Sequence, residues 1–388
     1  MGRMNRRLAL KRMLGGAALA APETLGKFPS LFSLDEIGQG ERSAMAAVAE
    51  DFRRRFDAPG LSVAIAQDGR VIYQQAFGTT GHDSQEPLTT SHLFRIASVS
   101  KPITSSAVFT LMEKGRLRSG DTVFGASGVL GTTYGEQSYA RGIEQITVDH
   151  LLTHTAGGWD NGLGDPMFSH PSMSQAELIS WTLDHKPLQN PPGTVFAYSN
   201  FGYCLLGRVI EKISGQPYRE FVQKAILNPC GITDMRIGGN TLQDRAPREV
   251  TYYGQSSGDG LNHYDDPYAL NVNRMDSHGG WIATPTDLVR FAAHVDGFDA
   301  RRNILTPETI KGMTTPWDAT HHYARGWMVN ERGNWWHGGS LGGTTAILVR
   351  TSSHFCWAAL TNTRREPSPS AIDDLVWNMV AKVPALHA

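Results

Sequence analysis

The chain is poor in cysteine. Its three residues, Cys204, Cys230 and Cys356, lie far apart without a Cys-x-x-Cys pair, which excludes a disulfide framework and argues against a zinc knuckle. No apolar run reaches the roughly 20 residues of a membrane-spanning helix. Charge of one sign is also missing: 36 Lys and Arg stand against 37 Asp and Glu, a formal net charge of −1. That balance lacks the basic excess of a nucleic-acid-binding protein. No internal repeat is visible. What remains is ordinary globular composition, 40% hydrophobic and 19% charged over 388 residues. This length suits two lobes, since single cores stop growing at roughly 250–300 residues.

Residues 1–21 read as a targeting segment. Arg3, Arg6, Arg7, Lys11 and Arg12 are basic with no acid among them. Met13 to Ala21 is small and apolar, and Ala18-Leu19-Ala20 offers a cleavage site. The stretch Asn5-Arg6-Arg7-Leu8-Ala9-Leu10-Lys11 resembles a twin-arginine export signal. The expected localisation is therefore periplasmic or secreted, the alternative being a cytoplasmic protein with a basic tail. Removing those five cations takes the net charge from −1 to −6. Residues 22–40 read as a linker.

A helix is expected over Glu41 to Phe56. Leu61 to Gln67 and Arg70 to Phe77 are β-rich runs joined by Asp68-Gly69, a hairpin signal. After Ser98 the apolar residues Ile103, Ala107, Val108, Leu111 and Met112 recur at helical spacing, with Pro102 tolerated in the first turn and Gly115 as the stop. Residues 119–145 read as loop. Ser174-x-x-Glu177 is a capping box opening a helix to about His185; helices also follow Phe201, Pro217 and Thr284. The segment 240–275 reads as a long polar surface excursion. Gly326 to Asn330, Asn334 to His337, Thr344 to Arg350 and Phe355 to Thr361 read as antiparallel strands, and Ala371 to Val383 as a closing helix. The fold class is α+β: an antiparallel sheet built from both chain ends and flanked by terminal helices, with a mostly helical lobe inserted. The expected division is 41–97 with 285–388 as the α/β lobe and 98–284 as the helical lobe, the active site lying between them.

Ser98 stands at the start of the buried helix, and Lys101 follows one turn later on the same face. That places an amine within reach of a hydroxyl proton, the arrangement of an activated nucleophile. A serine at a helix start is also a common cap. Of nine lysines only Lys101 has a serine three positions before it, and of eleven tyrosines only Tyr198 has an asparagine, Asn200, two positions after it. A third pattern is His337-Gly338-Gly339-Ser340. Its glycines let a substrate backbone approach, and the Ser340 N–H can face a carbonyl oxygen. His150 and His154 share a helix face, but no acidic third ligand sits at metal-like spacing; no metal or cofactor is expected.

Ser98-x-x-Lys101, Tyr198-x-Asn200 and His337-Gly338-Gly339, in this order, resemble the serine β-lactamase and penicillin-binding-protein superfamily. The likeness is to its class C branch, which also holds D-Ala-D-Ala peptidases, D-aminopeptidases and family VIII esterases. Leu151 to Gly158 and Gly279-Gly280-Trp281 ahead of Asp287-Leu288 are similar to stretches of that branch. The resemblance implies the superfamily fold over about residues 42–385 and hydrolysis through an acyl-enzyme. It implies Ser98 as nucleophile, Lys101 and Tyr198 sharing the base role, the Ser98 and Ser340 N–H groups as oxyanion hole, and Asn200 holding the substrate's flank. Expected substrates are small esters, peptides or β-lactams.

One position departs from most β-lactamases: His337 stands where they carry lysine. Histidine, with a reference pKa near 6.5, is no standing cation for a β-lactam carboxylate. Ester or peptide hydrolysis is thus expected above β-lactam hydrolysis. Trp159, Tyr252, Tyr253, Trp335 and Trp336 are candidates to line an apolar pocket. Two rivals stand beside this reading. Gly254-Gln255-Ser256-Ser257-Gly258 matches a Gly-x-Ser-x-Gly elbow, but no strand–turn–helix context surrounds it. A non-catalytic penicillin-binding or scaffold member is the other, against which Lys101, Tyr198 and Asn200 all speak. Substrate choice rests with the loops near 119–145, 160–173 and 240–275, and oligomeric state is not legible.

Overall fold

The computed structural model describes residues 37–387 apart from 137, 255–265 and 366–367. The targeting segment, most of the linker, and the Gly254 elbow beyond its first residue lie outside the described residues. Helix α1 (Gln39–Arg55) opens with the Glu41 carboxylate accepting from the Gly38 N–H and ends on three arginines, complementing the helix dipole at both ends. Strand β1 (Gly60–Gln67) then reverses into β2 (Arg70–Gly78). The turn residues Asp68 and Gly69 both have positive φ, 48° and 69°, as a two-residue hairpin that follows the sheet's twist requires.

Strand β3 (Phe94–Arg95) runs through one 3-10 turn, Ala97–Val99, into α2 (Ser100–Glu113). Every residue from Ser100 to Leu111 is buried, so α2 is the centre of the helical region rather than a surface helix. Gly115, at φ 65°, supplies the stop. Four helices follow: α3 (Val148–Leu152), α4 (Gln175–His185), α5 (Asn200–Ser214) and α6 (Tyr218–Val222). The Ser174–Glu177 box caps α4 as its sequence predicts. Strands β4 (Arg236–Ile237) and β5 (Trp281–Ala283) join β3 in a small sheet of order β3-β5-β4. Its two- and three-residue strands are too short to leave a periodicity. The described parts of the 240–275 stretch are mixed: Thr241 to Asp244 are exposed, as a surface excursion requires, whereas Val250, Tyr252, Val272, Arg274 and Met275 are buried in the core.

Helix α7 (Pro285–Ala293), capped by Thr284 and Asp287, returns the chain to the large sheet. Helix α8 (Pro307–Thr314) was not anticipated, although Thr306-Pro307 is a legible start signal. Strands β6 (Met328–Val329), β7 (Trp335–Leu341), β8 (Thr344–Arg350) and β9 (Phe355–Thr361) complete a six-stranded antiparallel sheet of order β2-β1-β9-β8-β7-β6. The run Gly326–Asn330 shortens to two strand residues. Strand β9 pairs with β1 from Leu61↔Thr361 to Gln67↔Phe355, joining the two ends of the chain. Leu61, Val63, Ile347, Val349 and Trp357 face α1 and the closing helix α9 (Ser368–Val380), while Ala64, Ala346, Leu348 and Ala358 face the other way. Alternate residues thus feed two cores, as period two dictates for a sheet covered on both faces.

Candidate active site

The turn before α2 carries the nucleophile candidate. Ala97 sits in the left-handed region at φ 47°, a conformation costing a residue with a Cβ about 1–2 kcal/mol. Strand β7 braces this turn. A Cβ on Gly339 would overlap the Ile96 carbonyl oxygen and stand 3.2 Å from the Ser98 nitrogen. Only glycine lets the strand lie this close. Gly338 has open space, its nearest foreign atoms being 4.0 Å away.

Lys101 Nζ lies 2.9 Å from Ser98 Oγ, 2.7 Å from Asn200 Oδ1 and 3.0 Å from the His278 carbonyl oxygen. Two of these neighbours only accept. A neutral amine has two hydrogens and one lone pair, so donating to Asn200 and His278 leaves the lone pair for the Ser98 hydroxyl proton. Burial pushes the amine down to about 7, against the pull of the Asp165 carboxylate.

Tyr198 also hydrogen-bonds Ser98, and Lys101 Nζ lies 4.9 Å from its ring centroid. Burial raises this phenol's pKa above the ordinary tyrosine value, with the Ser98 hydrogen bond working the other way. The ring is held by His154, whose centroid is 4.2 Å away and whose Nδ1 accepts from the Ser199 N–H. His154 therefore steadies the Tyr198–Ser199 segment. His337 donates from Nδ1 to the Gly338 carbonyl, leaving Nε2 to accept from Tyr323 at 3.3 Å. Burial, then the charge of Lys101, hold its pKa down at about 3, so it is a neutral imidazole.

Asn200 opens α5 and is drawn in from three sides. Its N–H donates to Asn161 Oδ1 at 2.9 Å, its Oδ1 meets Lys101, and its Nδ2 donates to Asp165 Oδ2 at 2.6 Å. Ser98 and Ser340 line one cleft of about 70 Å³ with Asn161, Phe168, Asn200, Met275, Gly279 and Leu341. The three distant motifs thus meet.

A family model described as beta-lactamase matches residues 45–380. The chain belongs to the beta-lactamase family. It is 25% identical over 341 residues to penicillin-binding protein 4* of Bacillus subtilis (strain 168), covering 81% of this chain and 70% of that protein. It is 30% identical over 217 residues to esterase EstB of Burkholderia gladioli, covering 53% of each. The D-amino acid amidase structure from Ochrobactrum anthropi SV3, complexed with L-phenylalanine, aligns at a TM-score of 0.73 and 21% identity, covering 89% of this chain and all of that one. As a beta-lactamase-family member the protein is a serine hydrolase.

Not every predicted residue of this beta-lactamase-family site reaches the cleft. Trp159 is a correction: its Nε1 donates to the Lys186 carbonyl at 2.9 Å and its ring packs on Phe201 in the core. Trp336 is another. His337 faces inward on β7, so its neighbour faces outward and packs beneath the terminal helices. Trp335 lies under Arg350, whose guanidinium is 4.0 Å from its centroid, and the buried Tyr252 bonds Glu249. Neither lines the cleft; nor does Tyr253, whose ring packs against His82. Asp165, Asn161 and His278 were missed. Asp165-Pro166 carries a helix-start signal, but nothing local says that its carboxylate reaches α5.

Proposed function

We propose that the protein hydrolyses small esters or amides, including D-amino acid peptides, through an acyl-enzyme on Ser98. The carrying observation is the pairing of the Lys101 amine with two acceptors, which turns its lone pair to Ser98. Lys101 takes the hydroxyl proton while Oγ bonds to the substrate carbonyl carbon and the π electrons move to the oxygen. The N–H groups of Ser98 and Ser340, both on the cleft, receive that oxyanion, each contributing about 3–4 kcal/mol by analogy with measured oxyanion holes. Tyr198 passes the proton to the leaving alcohol or amine as its bond breaks. Water then attacks the acyl carbon, giving its proton to the same pair, and as the acyl–Oγ bond breaks that proton returns to Ser98 Oγ. The small cleft with Phe168, Met275 and Leu341 on its walls suits a short acyl group. A neutral His337 gives a substrate carboxylate no cation, which supports ranking esters and amides above β-lactams.

The test is a panel of p-nitrophenyl butyrate, D-Ala p-nitroanilide and nitrocefin, with Ser98→Ala as blank and fluorophosphonate labelling read by mass spectrometry. Turnover of the first two and one label on Ser98 are expected. Steady turnover by a protein unlabelled at residue 98 would overturn the proposal, and an acylation burst without steady state would make this chain a penicillin-binding trap. We propose further that residues 1–21 direct export, supported by the basic cluster, the Arg6-Arg7 pair and the small apolar stretch. Cell fractionation with amino-terminal sequencing checks it; full-length protein confined to the cytoplasm sinks it.

A further inference from the structure

We infer that Asp165 is a positioning residue, which orients the Asn200 amide so that its oxygen rather than its nitrogen meets Lys101. The inference rests on the Ser98–Lys101 reading above. An asparagine amide is nearly symmetric in shape, and its neighbours decide which end points where. On one side of Asn200 stands the Lys101 amine and on the other the Asp165 carboxylate. Asp165 Oδ1 accepts from the Met167 N–H at 2.9 Å and Oδ2 accepts from Asn200 Nδ2 at 2.6 Å, so both oxygens face donors, as an ionised carboxylate should. An acceptor on that side forces the NH₂ toward it. The oxygen must then face Lys101, where it takes one amine hydrogen. With the amide reversed, an NH₂ would meet an amine, and the lysine would turn its lone pair away from Ser98.

The carboxylate is itself held in place. Arg274, buried, donates from its two terminal nitrogens to the carbonyls of Met167, Ser169, His170 and Met173, clamping the loop that Asp165 opens. The titratable groups around Lys101 are Tyr198 and Tyr203, His154, His278, His337 and Asp165. Burial disfavours the charged form of each. Asp165 has both carboxylate oxygens met by N–H donors, and it supplies the negative charge that favours the protonated lysine. Asp160 and Arg274 are the further charges that face Asp165.

Asp165→Asn tests this, because an amide there can donate as well as accept and tolerates either orientation of Asn200. The expected result with p-nitrophenyl butyrate is a kcat lower by roughly tenfold or more with KM nearly unchanged, as for a small misplacement of a reacting group. The acid limb of the pH profile should also move down by about half a unit or more, because the lysine loses its opposite charge. A residue that merely stiffened the loop would lower Tm and leave that limb in place. Wild-type kcat, or an unmoved limb, overturns the inference. If Asp165→Asn fails to fold, Asp165→Ser keeps an acceptor for the Met167 N–H and gives the same two readings. Ser98→Ala, measured alongside, separates the levels. Turnover surviving in it removes the acyl-enzyme reading itself, whereas a dead Ser98→Ala beside an unaltered Asp165→Asn removes only the role of Asp165.

Discussion

Lys101 sits on a helix whose first twelve residues are all buried, and that burial is what makes its amine useful. A pKa near 7 leaves about half the lysine unprotonated at neutral pH. Activity should therefore fall about tenfold per unit as pH drops below about 7, which an initial-rate profile checks. The same shift acts on stability. The folded state holds the lysine proton less tightly than the unfolded chain, so the unfolded state binds more protons between about 7 and 10.5, and stability rises with pH across that window. Lys101→Met should abolish turnover and flatten that rise, since methionine does not titrate. Denaturant unfolding at about pH 7 and about pH 10 checks it; a variant whose stability still climbs as steeply as the wild type's would contradict the buried neutral amine. The two glycines of β7 give a sharper contrast. Gly339→Ala drives a methyl into the Ile96 carbonyl and should lower kcat/KM on the order of a hundredfold, while Gly338→Ala, with open space, should stay within a few-fold.

Among the elements, the loop from Asp165 to Met173 does most to complete the site while having least secondary structure. Its order comes from Arg274, from the His170 ring 4.1 Å from Trp181 on α4, and from the Asp165 cap. Replacing Arg274 by methionine leaves four carbonyls without their donor, and should cost about 3 kcal/mol or more. Hydrogen exchange should accelerate first at residues 166–173, and activity should fall with it. Equal acceleration across α2 would mean that the clamp is not local. The elements also show where sequence reading reached. The capping boxes at Ser174 and Thr284, the Asp68-Gly69 turn and the long strands were legible, because each is set by residues within a few positions. Strands β3 to β5 were not, since two or three residues carry no period. The 240–275 segment was legible in part: polar composition marks its exposed residues, but not the buried ones whose polar groups meet distant partners, such as Arg274 with its four carbonyls.

At the scale of the whole molecule, the sheet depends on residues about 300 positions apart: β1 pairs with β9 from Leu61↔Thr361 onward, and the Asn362 side chain accepts from the Gly60 N–H at 2.8 Å. A chain ending at residue 330 would leave β1 with a bare edge and α1 without α9. Such a fragment should show no cooperative thermal transition; a sharp melt would show that the helical lobe with the first hairpin folds alone.

The sequence by itself determined the chemistry available and much of the local form. It carried Ser98, Lys101, Tyr198, Asn200 and His337, and the four-residue signals that start and stop helices. It also indicated that His337 would not be a standing charge, because imidazole's intrinsic basicity is already low. Only the tertiary structure decided that Trp159 and Trp336 turn away from the cleft, that Asp165 stands behind Asn200, and that Lys101 is basic enough to take a proton but not to keep it. Those outcomes depend on desolvation and on contacts 99 and 177 positions apart, from Lys101 to Asn200 and to His278. A chain's local preferences do not encode which distant group arrives; the packed core does.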